Sequence, residues 1–142
     1  MNKGEDELYI YTDGASRGNP GDAAWAYVIL DQDEEVVSSQ SGYIGRSTNN
    51  QAEYFAVIRA LQRAKALARG KINLYSDSQL LVNQVTDSWK VKNDELSRLY
   101  GRVRSLVKEF SRVNFIHLSR ENPHISEADE LCNERLDEIQ RY

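Results

Sequence analysis

Four acidic residues stand where an apolar run gives way to a polar turn or where a helix begins: Asp13 in LYIYTDGASRGNPG, Glu53 in TNNQAEY, Asp77 in LYSDSQ and Asp129 in SEADEL. Carboxylates gathered without histidine or cysteine ligands form a hard-oxygen site, suited to Mg²⁺, with Mn²⁺ as a substitute, rather than to zinc. Without a cation such a cluster repels itself. Taken singly, each acid has an ordinary role as well. Asp13 suits a turn, Glu53 a solvent-facing helix position and Asp77 the N-cap of a following helix. Ser126-x-x-Asp129 resembles a capping box. Short polar and basic residues flank the acids: Asn19, Arg46, Thr48, Asn49 and Asn50 suit phosphate oxygens and sugar hydroxyls. Asn and Thr in TNN also suit a helix start.

The elements needed to position these groups can be read from periodicity. Leu8 to Thr12 and Ala24 to Leu30 read as strands, with GNPG turning the chain between them, so that Asp13 ends the first strand. A third strand is expected from Glu35 to Tyr43, giving an antiparallel meander. A buried helix is expected from about Asn50 to Arg69, capped by Gly70, with Glu53 in its first turn. INLYSD is a short strand that ends in Asp77, and SQLLVNQV a short helix. Leu96, Leu99, Tyr100, Val103, Leu106, Val107 and Phe110 recur at helical spacing. VNFIHL is a last strand, and Ser126 to Ile139 a final helix opened by Asp129. The order β-β-β-α-β-α-α-β-α describes an α/β protein, a mixed sheet with helices on its faces.

The 142 residues, 40% apolar and 28% charged, fit one domain over 1–142. The absence of a long apolar run, acidic residues near the N-terminus and the single Cys132 lead us to expect a cytoplasmic protein without a membrane span or disulfide. A net charge of -4 argues against a protein that coats nucleic acid by bulk electrostatics. Local basic groups remain at Arg17, Arg46, Lys90 and Lys92.

YTDGASRGNPG, STNNQAEYFAVIRAL, LYSDSQLLVNQV followed by WKVKN, and the AD pair of the last helix together resemble ribonuclease H type 1, over about Leu8 to Leu136. The resemblance implies the ribonuclease H fold, a five-stranded mixed sheet in order 3-2-1-4-5. It also implies an endonuclease that hydrolyses the RNA strand of RNA·DNA hybrids to 3′-hydroxyl and 5′-phosphate ends. Asp13, Glu53, Asp77 and Asp129 match the family's four metal-binding acids, which hold two ions roughly 4 Å apart. By the same resemblance, Gly14, Asn19, Asn50 and Gln79 are expected to contact the RNA strand and minor groove. Arg46 and Thr48 would hold a DNA phosphate, and Trp89 would pack on a DNA sugar.

Two departures from the family pattern bear on mechanism. Many members carry a histidine ten residues before the last aspartate, where this chain has Ser119; His124 is the candidate substitute for proton transfer, with Glu121 and Glu127 nearby. The basic handle that some members insert is replaced by DSWKVKNDE, so weak, salt-sensitive binding by a monomer is expected. Double-stranded RNA is a further candidate substrate. The contrasting expectation is a nucleic-acid-binding module of the same fold with little or no catalysis.

Overall fold

In the computed structural model, which describes residues 6–141, β1 (Glu7–Gly18), β2 (Gly21–Leu30) and β3 (Val36–Ser47) form an antiparallel meander. It is followed by α1 (Asn49–Leu67), β4 (Lys71–Ser76), α2 (Gln79–Val85), α3 (Asp94–Val107), β5 (Arg112–His117) and α4 (Pro123–Gln140). β4 and β5 run parallel to β1, completing a five-stranded mixed sheet in the expected order β3-β2-β1-β4-β5. Of the domain expected over 1–142, residues 1–5 and 142 lie outside the described residues. No described helix is long and apolar enough to cross a membrane.

The sheet has an apolar core on each face. Leu8, Ile10, Tyr27, Ile29, Ile72 and Leu74 pack against α1 through Tyr54, Val57, Ile58 and Leu61, with α2 and α3 closing the outer side. On the opposite face Ala24, Ala26, Val28 and Leu30 meet Ala128, Cys132 and Leu136 of α4. The alternation of side chains along a strand makes this two-sided burial possible. α1 is buried on most of its inner surface, as its sequence predicts, and the buried Tyr54 hydroxyl donates to Gln84 Oε1 at 2.7 Å.

Several boundaries differ from the sequence reading: β2 begins at Gly21 rather than Ala24, and β3 runs on to Ser47 rather than ending at Tyr43. β1 does not stop at Thr12; it continues through the glycine-rich stretch because β2 pairs with it as far as Gly18↔Gly21, leaving only Asn19 and Pro20 as the turn. Gly18, at φ 104°, supplies the left-handed backbone needed to enter that turn. α1 ends in an extended Ala68 rather than at Gly70, and α3 ends at Val107. α4 begins three residues early, at Pro123, because Asn122 is the cap: its side chain accepts from the backbone N–H groups of His124 and Ile125. A proline at the first helical position loses no intrahelical bond.

Candidate active site

The extension of β1 places Asp13 inside the strand, opposite Ala26, and not at its end as the sequence suggested. What ends there is the parallel ladder with β4, whose last pair is Thr12↔Ser76. Asp13 and Asp77 are therefore the next residues on two adjacent strands, one still paired to β2 and the other entering a loop. Thr12 Oγ1 donates to the Tyr75 carbonyl at 3.2 Å, closing this end of the ladder.

Glu53 arrives from α1. A Cβ built on Gly14 would fall 2.2 Å from the Ala52 carbonyl carbon and 2.4 Å from the Glu53 nitrogen, so only a glycine lets the helix backbone lie this close to β1. The Gly14 N–H then donates to Glu53 Oε1 at 2.9 Å. Glu53 lies just beyond the first turn, since the helix starts at Asn49. The helix end is fixed by Thr48, whose Oγ1 accepts from the Gln51 N–H at 3.1 Å, while Gln51 Oε1 accepts from the Thr48 N–H at 3.0 Å. This is the reciprocal capping box. The hairpin tip is stitched to the same turn: Ser16 N–H donates to Asn49 Oδ1 at 2.9 Å, and Asn49 N–H to Asn19 Oδ1 at 3.1 Å.

Asp13, Glu53 and Asp77 each offer a carboxylate oxygen, and these oxygens all lie within 4.8 Å of one another. Asp13 is 4% exposed, and its Oδ2 and the Asp77 Oδ1 are buried with no hydrogen-bond partner. Burial above all, then the charge of Asp77 and the neighbouring Asp129 carboxyl, push Asp13 up to about 9, against a weaker opposing effect of Arg120. Glu53 is raised well above the ordinary carboxylate range by burial, then by the charges of Asp13 and Asp77. The all-oxygen donor set and two orphaned buried oxygens fit a hard divalent cation, which would relieve both the repulsion and the missing partners.

Asp129 reaches the cluster from α4. It is exposed and outside the group of three close acids, yet its carboxyl is near enough to contribute to the raised proton affinity of Asp13. The ordinary roles of two acids are removed by the structure. Ser78, not Asp77, caps α2, its side chain accepting from the Leu81 N–H at 3.1 Å. Asn122, not Ser126, caps α4, so Asp129 lies in its second turn, does not open it and has no capping box.

His124 belongs to the first turn of α4 rather than to a loop, and the structure does not bring it to the acids. Its ring packs on Tyr11 with centroids 4.7 Å apart, and Nδ1 lies 3.3 Å from Glu127 Oε1. Glu121 is exposed. The residue that the sequence reading passed over is Arg120, whose Nε stands 3.9 Å from Asp77 Oδ2 with a side chain 84% exposed. It directly follows Ser119, the position at which many family members carry a histidine, and that adjacency is its signal in the sequence. Arg46, Asn50 and Gln79 are exposed around the acid cluster's elements, on β3, α1 and α2. Trp89 is 49% exposed and lines a groove of about 300 Å³ with Gln84, Lys90 and Tyr100. It is a surface tryptophan, not a core anchor.

Comparison with known proteins agrees with this geometry. A family model described as "Reverse transcriptase-like" matches residues 11–135. A ribonuclease H of Chlorobaculum parvum is 33% identical over 144 residues, covering 96% of this chain and 94% of that protein. The chain belongs to the ribonuclease H family. It is 41% identical to the ribonuclease HI of Halobacterium salinarum over 92% of this chain, and the crystal structure of that RNase H1 superposes with a TM-score of 0.89, covering 93% of this chain and 98% of the solved one. The chain spans 65% of the full length of the halobacterial protein, and 36% of the mycobacterial relatives it also matches. LC11-RNase H1, solved in complex with an RNA/DNA hybrid, is 36% identical, with a TM-score of 0.88 over 94% of this chain and 99% of that one. At these TM-scores and coverages the solved ribonuclease H structures have the same fold as this chain.

Proposed function

We propose that the protein is a divalent-metal-dependent endoribonuclease that hydrolyses the RNA strand of RNA·DNA hybrids, leaving 3′-hydroxyl and 5′-phosphate ends. The observation that carries this reading is the close triad of buried Asp13 with half-buried Glu53 and Asp77, carrying two partnerless oxygens at the end of a parallel ladder. Its membership of the ribonuclease H family and the hybrid bound by LC11-RNase H1 support the substrate.

Asp13, Glu53, Asp77 and Asp129 are the residues that would hold the metal, Mg²⁺ or Mn²⁺ by donor chemistry. When bound, two such cations supply charge neutralisation at the scissile phosphate and activation of the attacking water. The chain's own contribution is positioning. The Gly14 N–H orients Glu53, and the β1–β4 ladder fixes Asp13 against Asp77. Arg120, beside Asp77 and open to solvent, is placed to meet an anionic phosphate. The stitched residues Asn19 and Asn49 have their side-chain oxygens engaged, which leaves each amide NH₂ to donate to the RNA strand. With Gly14, Asn50 and Gln79 they would read the minor groove and its 2′-hydroxyls. Arg46 and Thr48 would hold a DNA phosphate, and the exposed Trp89 a DNA sugar. In the same reading the chain acts as one domain and as a monomer in the cytoplasm.

The test is cleavage at low salt of an end-labelled RNA·DNA hybrid, double-stranded RNA, single-stranded RNA and double-stranded DNA, with Mg²⁺, with Mn²⁺ and with chelator. Metal-dependent cutting confined to the hybrid's RNA strand is expected. Cutting of double-stranded RNA as well would widen the substrate class. Hybrid binding without any cutting would replace the enzyme by a binding module.

A further inference from the structure

Resting on the reading of the acids as a metal site, we propose that Asn133 is a positioning residue for Asp129, anchored to the sheet by Arg17. Asp129 and Asn133 are one helical turn apart on α4, and the Asn133 amide nitrogen donates to Asp129 Oδ2 at 3.3 Å and to the Asp129 carbonyl at 3.1 Å. The other end of the same amide is held from β1: Arg17 Nη2 donates to Asn133 Oδ1 and to the Asn133 carbonyl, each at 3.3 Å. Arg17 is itself fixed by Asp137 Oδ1 at 2.7 Å and by Gln140 Oε1 at 2.8 Å.

The chemistry of this relay is specific to an amide. An asparagine can accept from a guanidinium through its oxygen and donate to a carboxylate through its nitrogen, whereas aspartate cannot donate and leucine can do neither. Asp129 needs such a partner more than the other acids do. Asp13 and Glu53 are fixed by burial and by the strand–helix contact, but Asp129 is exposed and would otherwise sample its rotamers freely. A group that orients a metal-binding carboxylate from behind typically governs about 10- to 100-fold in affinity or activity. The hairpin tip thereby reaches the site twice, through Asn19 and Asn49 to α1 and through Arg17 and Asn133 to α4.

The experiment is a calorimetric Mn²⁺ titration of the wild-type protein, Asn133→Leu, Asp129→Asn and the double variant, alongside single-turnover hybrid cleavage as Mn²⁺ is varied. Asn133→Leu is expected to weaken Mn²⁺ binding about tenfold. It should raise the Mn²⁺ needed for half-maximal cleavage by a similar factor, with KM for the hybrid unchanged. In the Asp129→Asn background it should add nothing, because it acts through that carboxylate. Arg17→Gln, which unanchors Asn133 without removing it, is expected to give a smaller loss of the same kind. Unchanged Mn²⁺ binding in Asn133→Leu, or an equal loss with and without Asp129, would overturn the inference. A wild-type protein that binds no Mn²⁺ would instead refute the metal-site reading beneath it.

Discussion

Helix α1 delivers Glu53 from a buried face, whereas α4 delivers Asp129 from an exposed one. The α1 side is built by exclusion: Gly14 leaves no room between strand and helix, the capping box fixes the first turn, and the carboxylate is held by a backbone N–H. The α4 side is built by linkage, with an amide and a guanidinium holding an acid that packing does not confine. The difference separates two tasks. Acids on the buried side carry raised proton affinity and uncompensated oxygens, the marks of a site that requires a cation. The acid on the exposed side is confined by hydrogen bonds rather than by packing, and its loss should harm function more than folding.

The most severe break of this contrast is Asp13→Asn, which removes the buried centre of the cluster. Single-turnover hybrid cleavage should fall on the order of 10³-fold, the scale of losing electrostatic stabilisation aimed at a reacting phosphate. Next comes Gly14→Ala. The added methyl collides with the backbone of Ala52 and Glu53, so α1 must shift. A displacement of about 1 Å costs roughly 100-fold in rate, and the overpacking about 1–3 kcal/mol in urea unfolding. Asp129→Asn should be milder, roughly tenfold in rate at saturating metal, with an unchanged melting temperature because Asp129 caps nothing. A large stability loss there would place Asp129 in the buried class and erase the contrast.

Stability against pH sharpens the same comparison. Folded Asp13 holds its proton up to about 9, against 3.8 when unfolded, so between those values the folded state binds more protons. The contribution of Asp13 to the stability of the metal-free protein is therefore fully present below about pH 4 and declines as pH rises through that window. Thermal melting in chelator should show this decline in the wild type and a weaker one in Asp13→Asn, while Asp129→Asn should retain most of it. The smallest expected effect is that of Thr48→Ala, about 1 kcal/mol of stability for a lost cap, measured by urea unfolding, with a modest rise in KM for the hybrid from the lost phosphate contact.

The α1 side was the more legible in sequence. STNNQAE carries both the cap and the acid, and a long run of apolar residues marks the buried helix. What could not be read there was why Gly14 is a glycine, since the reason is a contact 39 residues away in the chain. Asp13 was misplaced at a strand end because glycines weaken strand propensity, and only the pairing of β1 with β2 overrides it. On the α4 side, Ser126-x-x-Asp129 resembles a capping box and sets the expected helix start three residues late, although asparagine followed by proline, Asn122-Pro123, is also a helix start and is the one the structure uses. Arg120 and the Arg17–Asn133 relay depend on loop and hairpin geometry that periodicity does not encode.

If the acids form a cation site, the protons held by Asp13 and Glu53 must leave when the metal enters. This linkage is tested most directly by calorimetric titration of Mn²⁺ at neutral pH in buffers of different ionisation enthalpy, on the wild-type protein and on Asp13→Asn. The account predicts binding with net proton release, visible as a heat that changes with the buffer, and the loss of both in Asp13→Asn. Binding without proton release, or binding that survives in Asp13→Asn, would contradict it.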